Sequence, residues 1–110
     1  MAQNIFTITK RTTFVFVREN GFFVRGENFN IQILHKQDLN NTIGVGYTAT
    51  KKIGNAVKRN KAKRIMRELS KKVIGKYGKK NSYYVLIAKN SIFKKPFNLL
   101  EIELKKMISQ

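Results

Sequence analysis

Asn55-Ala56-Val57-Lys58-Arg59-Asn60-Lys61-Ala62-Lys63-Arg64-Ile65-Met66-Arg67-Glu68-Leu69-Ser70-Lys71-Lys72-Val73-Ile74 is the stretch on which the fold turns. At 100° per residue, Ala62, Ile65, Met66, Leu69 and Val73 fall within about 100° of arc, the width of a core-facing stripe. The spacing predicts a helix over 55–74. Asn55 is its N-cap, because the side-chain oxygen can accept a free N–H of the first turn. Asn60, Lys63, Arg64, Arg67 and Lys71 gather on the opposite side, with Lys61 and Lys72 at one flank. One face therefore docks on another layer while the other presents a dense row of cations. Solvated helices usually mix signs for i,i+4 support, yet Glu68 is the one acid here. Phosphate contact explains that imbalance better than solvation does. Arg suits bidentate phosphate contact and Lys acts as a point charge. Such contacts give affinity and salt dependence without base readout.

Outward from this helix, the chain reads as seven elements. Residues 8–19 predict a helix, although Phe14, Phe16 and Val17 would equally suit a strand. Asn20-Gly21 ends it. Phe22-Phe23-Val24-Arg25 reads as a short strand closed by Gly26. Phe29-Asn30-Ile31-Gln32-Ile33 alternates apolar and polar, the period of a half-buried strand. Asp38 to Asn41 is turn-like. Residues 43–50 alternate again, and their small or hydroxylated face leaves room for another backbone to approach. Tyr83 to Lys89 is a β-branched and aromatic run. Pro96 to Ile108 predicts a last helix, with Pro near its start. The order αβββαβα implies an α+β sandwich, helices against a small mixed and mainly antiparallel sheet. No linker, repeat or low-complexity tract divides the chain, so one domain is expected over 1–110.

Composition narrows the partner. Among 110 residues, 23 Lys+Arg face 6 Asp+Glu, a net charge of +17, and +12 of that lies in residues 51–80. Such a surplus repels itself and fits a polyanionic partner. Hydrophobic residues at 42%, with eight Phe and four Tyr, supply a core and exclude a disordered basic tail. The absence of Cys removes disulfides, thiolate zinc sites and a Cys nucleophile together. The stretch Met1-Ala2-Gln3-Asn4-Ile5-Phe6-Thr7 lacks the pattern of a signal peptide. No apolar run approaches the roughly 20 residues that span a bilayer. A cytoplasmic protein without a membrane partner is expected.

Lys51-Lys52-Ile53-Gly54-Asn55-Ala56-Val57-Lys58-Arg59-Asn60-Lys61-Ala62-Lys63-Arg64-Ile65-Met66-Arg67-Glu68 closely resembles the signature of the bacterial ribonuclease P protein subunit family. That signature runs Lys-Lys, a short spacer, then Arg-Asn-Arg, Lys-Arg and Arg-Glu along one helix. Lys61 stands where the family usually has the second Arg, which keeps a cation and loses bidentate geometry. The resemblance implies a ribosomal-protein-S5-domain-2-like fold. It also implies the accessory subunit of a ribonucleoprotein that removes the 5′ leader from precursor tRNA, with catalysis carried by the RNA. Lys51, Lys52, Arg59, Asn60, Lys61, Lys63, Arg64 and Arg67 would then face the catalytic RNA. The leader would lie in a cleft between the first helix and the open sheet face. Phe14, Asn30, Gln32, Thr48, Thr50, Ile87 and Lys89 are the residues expected there. Arg18 stands where the family carries a second cleft aromatic. Mg²⁺ is implied in the assembled holoenzyme, held mainly by RNA, with no cofactor bound by the protein alone.

Other chemistry finds little footing. Gly44-Val45-Gly46 lacks the Gly-Lys-Ser/Thr of a nucleotide cradle. His35 has no nucleophile pattern beside it and reads as a polar strand-end residue. Glu101 and Glu103, two apart on a helix, do not share a face. No catalytic residue and no metal site is expected within the protein. A ribosomal or other small basic RNA-binding protein would explain charge and size, but not the ordered signature. A DNA-binding module needs a helix free to enter a major groove, and this one is anchored by its apolar stripe.

Overall fold

The computed structural model describes residues 3–109. Met1 and Ala2, part of the stretch read for a signal peptide, and Gln110, the last residue of the expected domain, lie outside the described residues. Five strands form one sheet in the order β1-β4-β5-β3-β2: β1 Ile5–Thr7, β2 Phe22–Val24, β3 Phe29–Leu34, β4 Ile43–Thr48 and β5 Ser82–Ala88. Four helices pack on it: α1 Arg11–Asn20, α2 Ala56–Leu69, α3 Gly75–Tyr77 and α4 Phe97–Ile108. The α+β sandwich and the αβββαβα order stand, with one strand added in front.

That added strand changes the balance of the sheet. β1 pairs parallel to β4, and β4 pairs parallel to β5, while β3 is antiparallel to both β5 and β2. The sheet is mixed as expected, but with parallel and antiparallel pairs equal in number it is not mainly antiparallel. The physical reason lies in connection length. β4 and β5 are joined through the long helical layer, and such crossovers return a strand parallel. Residues 8–10, expected at the start of the first helix, lie outside it, with Lys10 extended just before α1; Ile8 donates its N–H to the Val45 carbonyl at 2.9 Å and is buried beneath α1.

The two faces of the sheet are covered unequally. Phe29, Ile31 and Ile33 of β3 join Val45, Tyr84 and Leu86 under Met66 and Leu69 of α2 and Leu100 and Leu104 of α4, in the main core. The period-2 reading of β3 is borne out, since Asn30, Gln32 and Leu34 alternate to the other face, half-buried. Among the described residues α1 packs on that face, around Val17, Val85 and Ile8, with Phe14, Leu34, Tyr83 and Ile87 beside them. The glycines of β4 make this possible. A Cβ on Gly46 would come within 2.5 Å of Phe14 Cε1, and one on Gly44 within 2.7 Å of both the Phe6 and Tyr83 rings. The bare face of β4 thus admits aromatic side chains, where a backbone had been expected.

The long helix runs past its predicted end. After α2 the chain makes a π turn over Ser70–Ile74 and continues into α3. Buried Ser70 donates its hydroxyl to the Met66 carbonyl at 2.9 Å, a local bond of the kind that competes with regular helical pairing. A 3₁₀ turn over Asn90–Phe93, which sequence periodicity did not reveal, carries the chain from β5 to α4. Among the described residues no helix is long and apolar enough to cross a membrane.

Candidate nucleic-acid interface

The approach to α2 is fixed backbone first. Lys51–Ile53 forms a 3₁₀ turn whose Ile53 is buried, and Gly54 follows at φ +134°, a left-handed conformation that favours glycine. Asn55 then caps α2 as expected, its Oδ1 accepting the Lys58 N–H at 3.0 Å. Lys51 and Lys52 are left exposed at the head of the helix. Along α2, Asn60, Lys61, Arg64 and Arg67 are exposed, whereas Arg59 and Lys63 are half-buried. Lys63 therefore belongs to a flank of the ridge where its crest had been expected. The core stripe holds, with Ala62, Met66 and Leu69 buried and Ile65 packed against them.

The ridge is almost free of counter-charge. Among the described residues the single ion pair is Lys95 with Glu27, at 3.7 Å, far from α2 in sequence. Aromatic rings steady the cations from below. Arg67 lies over Tyr47 with its guanidinium carbon 5.4 Å from the ring centroid, and Lys61 Nζ lies 5.7 Å from that of Phe93. Burial pushes the Tyr47 phenol above its usual range, with Ser70 and Arg67 working against that, so the hydroxyl stays neutral.

The residues expected in one cleft divide between two hollows. Asn30, Thr50, Ile87 and Lys89 line a cavity of about 720 Å³ together with Lys51 and Lys52. Phe14 and Thr48 line a second, of about 470 Å³, with Arg11, Arg18, Tyr47 and Lys63. This second hollow exists because β1 stops at Thr7, opposite Val45, and leaves the end of β4 without a neighbour on that side. Thr48 pairs with Ile87, and Ile87 with Asn30, so one row of the sheet joins the two hollows. Gln32 lies one step along β3, opposite Val85 and Phe23, and lines neither.

Two of these residues also hold the fold. Asn30 Oδ1 accepts the Gly26 N–H at 3.1 Å, and Lys89 Nζ donates to the Gly26 carbonyl at 2.6 Å. Together they clamp one residue of the β2–β3 loop. Phe14 is likewise shared between packing on Gly46 and lining the smaller hollow. Arg18, which stands at the family's second cleft-aromatic position, lines the smaller hollow; Arg11 beside it was not recognisable from sequence, because its position follows from how α1 lies across the sheet.

His35 caps the end of β3, its Nδ1 2.7 Å from Ser82 Oγ. Burial, then the charges of Lys79 and Lys36, lower its pKa, so it is neutral near pH 7. Ser82 is wholly buried, which leaves no access for a substrate. Among the described residues no three His, Cys, Asp or Glu side chains come together as metal ligands.

Comparison with known proteins agrees with this arrangement. Residues 3–110 match the family model described as Ribonuclease P. A ribonuclease P protein component from Caulobacter vibrioides is 40% identical over 82 residues, covering 74% of this chain and 54% of that protein. The chain thus spans about half the length of that relative. The component from Brucella suis is 31% identical over 114 residues, covering 97% of this chain and 80% of the relative. The fold is shared with two solved structures. The RNase P protein of Staphylococcus aureus superposes with a TM-score of 0.76 at 24% identity, over 94% of this chain and 92% of that one. That of Thermotoga maritima gives 0.78 at 20% identity, over 94% of each. With its signature helix, its mixed sheet and a match running from residue 3 to residue 110, the chain belongs to the bacterial ribonuclease P protein family.

Proposed function

We propose that this chain is the protein subunit of a cytoplasmic ribonuclease P, a single RNA-binding domain that supports removal of the 5′ leader from precursor tRNA. The observation that carries the reading is the cationic ridge of α2, free of ion pairs among the described residues, beside an open sheet face lined with amide, hydroxyl and aromatic groups. Phosphates of the catalytic RNA lie along Lys51, Lys52, Arg59, Asn60, Lys61, Lys63, Arg64 and Arg67. The unpaired leader crosses the row Thr48–Ile87–Asn30, with Phe14 at its β4 end, Thr50 and Lys89 along the larger hollow, and Gln32 one step along β3. Amides and aromatic faces on an open sheet hold single strands without strict sequence readout. The protein contributes binding and charge neutralisation, and the RNA contributes the cleavage and most of the Mg²⁺ contacts.

Reconstitution tests this. The full chain, freed of RNA, is expected to leave precursor tRNA intact. Added to a bacterial ribonuclease P RNA at low Mg²⁺, it is expected to promote cleavage that releases the 5′ leader. Cleavage at the same bond by the RNA-free protein, or no effect on the RNA's activity, would overturn the reading.

A further inference from the structure

Lysines at the far end of the helical layer form a second cationic surface. Lys72 lies over the Phe97 ring at 5.4 Å, and Lys76 and Lys105 lie over the Tyr77 ring at 5.4 and 4.3 Å. With Glu101 they line a depression of about 260 Å³ where the π turn and α3 meet α4. This is the opposite flank of the long helix from the cleft. Arg67 leans on Tyr47 of β4, while Lys72 leans on Phe97 of α4. Lys76 also stands about 25 Å from Arg59 along the helix axis, at 1.5 Å per residue.

Ordinary solvation does not account for this surface. Lys72 on the π turn and Lys76 on α3 stand close in the chain with no acid between them. No ion pair relieves these lysines among the described residues. Helix C-termini do favour cations, each supplying about half a negative charge. Against Lys71, Lys72, Lys76, Lys105 and Lys106 stand Glu68, Glu101, Glu103 and two such helix ends, so about +1 remains uncompensated. The Tyr77 phenol reports the same field, being drawn below its usual value first by its hydrogen bond with Lys105 and then by the Lys105 and Lys76 charges. The three lysines are already ordered on rings, so less side-chain entropy is lost when a ligand binds. Two ammonium groups already engage the Tyr77 ring. Phosphate, rather than a stacked base, is therefore the group the surface suits.

We propose that Lys72, Lys76 and Lys105 form a second phosphate-docking surface, which holds a base-paired segment of the same catalytic RNA. The protein then bridges two parts of one RNA fold, one on the α2 ridge and one on the α3–α4 end. This rests on the functional reading above. Contacts of this kind position an RNA helix by its backbone and carry no sequence information.

The test uses the full chain carrying Lys72→Gln, Lys76→Gln and Lys105→Gln together, and a second triple with Arg at the same positions. Affinity for a bacterial ribonuclease P RNA is measured across a salt series. The Gln triple is expected to lower the log–log salt slope by about 2 to 3. The Arg triple should keep the wild-type slope, and the precursor-to-mature tRNA affinity ratio should stay unchanged in both. An unchanged slope in a Gln triple that unfolds in denaturant like wild type overturns the proposal and leaves the functional reading intact. Wild-type chain that fails to bind the RNA at all overturns both. Phosphatidylserine vesicles that bind wild type and lose the Gln triple, with RNA binding unaffected, would assign the surface to lipid and overturn it.

Discussion

Phe14 rests its ring on Gly46, where the lack of a Cβ lets the two approach closely. The same ring lines the hollow that also holds Arg18 and Thr48. A half-buried aromatic that packs on Gly46 and still lines a hollow suits contact with an unpaired base. Stacking of this kind is worth roughly 1–3 kcal/mol in alanine substitutions. Phe14→Ala is therefore expected to weaken precursor tRNA binding by the reconstituted holoenzyme about 5- to 150-fold. Mature tRNA, which lacks the leader, should bind almost as before. Measuring both substrates separates this from a packing defect, which would lower the denaturation midpoint and leave their ratio alone. Sequence reached Phe14 through resemblance, and it reached Asn30 and Gln32 through strand alternation. It could not show that Lys89 joins Asn30 in holding Gly26, because that clamp ties together residues 63 apart in the chain.

The helix α2 separates two kinds of consequence on two faces of one element. Met66 is fully buried in the main core, whereas Arg64 and Arg67 are exposed. Met66→Ala is expected to cost about 2–5 kcal/mol of stability, through the apolar burial given up and the cavity left behind. Arg64→Ala with Arg67→Ala should shift stability by no more than about 1 kcal/mol, taking roughly half a kcal/mol for each surface change. It should flatten the salt dependence of RNA binding, lowering the log–log slope by roughly 0.7–0.9 for each phosphate no longer neutralised. Denaturant unfolding and a salt titration of RNA affinity check both. A collapse of stability in the Arg double variant would show that this face supports the fold. This helix was legible because its 3.6-residue period persists for several turns. β1 was not, since three residues carry no period and its strand character comes from pairing with β4. The π turn was equally hidden, because the buried Ser70 hydroxyl that accompanies it depends on the core around it.

Across the whole molecule, strand order and charge behave differently as signals. The element order suggested the sandwich, yet the sheet order β1-β4-β5-β3-β2 depends on crossovers that no local pattern announces. Net charge needs no fold to be read, and its physical consequence can be measured on the protein without RNA. A charge of +17 is carried on a body of 35 × 29 × 20 Å. At 0.01 M salt the screening length is about 30 Å, so every cation feels almost every other. At 0.1 M it falls to about 10 Å, and only neighbours interact. Compaction concentrates the like charges, so screening relieves the folded state more than the expanded chain. With one ion pair among the described residues, little attraction is screened away to offset that relief. The thermal midpoint is therefore expected to rise as sodium chloride increases from about 0.01 to 0.1 M. Each 1 kcal/mol of relieved repulsion should raise it by about 4–8 °C in a domain near 100 residues. Neutralising the ridge with Arg64→Gln and Arg67→Gln should raise the low-salt midpoint and shrink its salt response, because part of the repulsion is then already gone. A midpoint that falls with added salt would mean that attractive pairs dominate this surface, and the polyanion reading of its charge would fail with it.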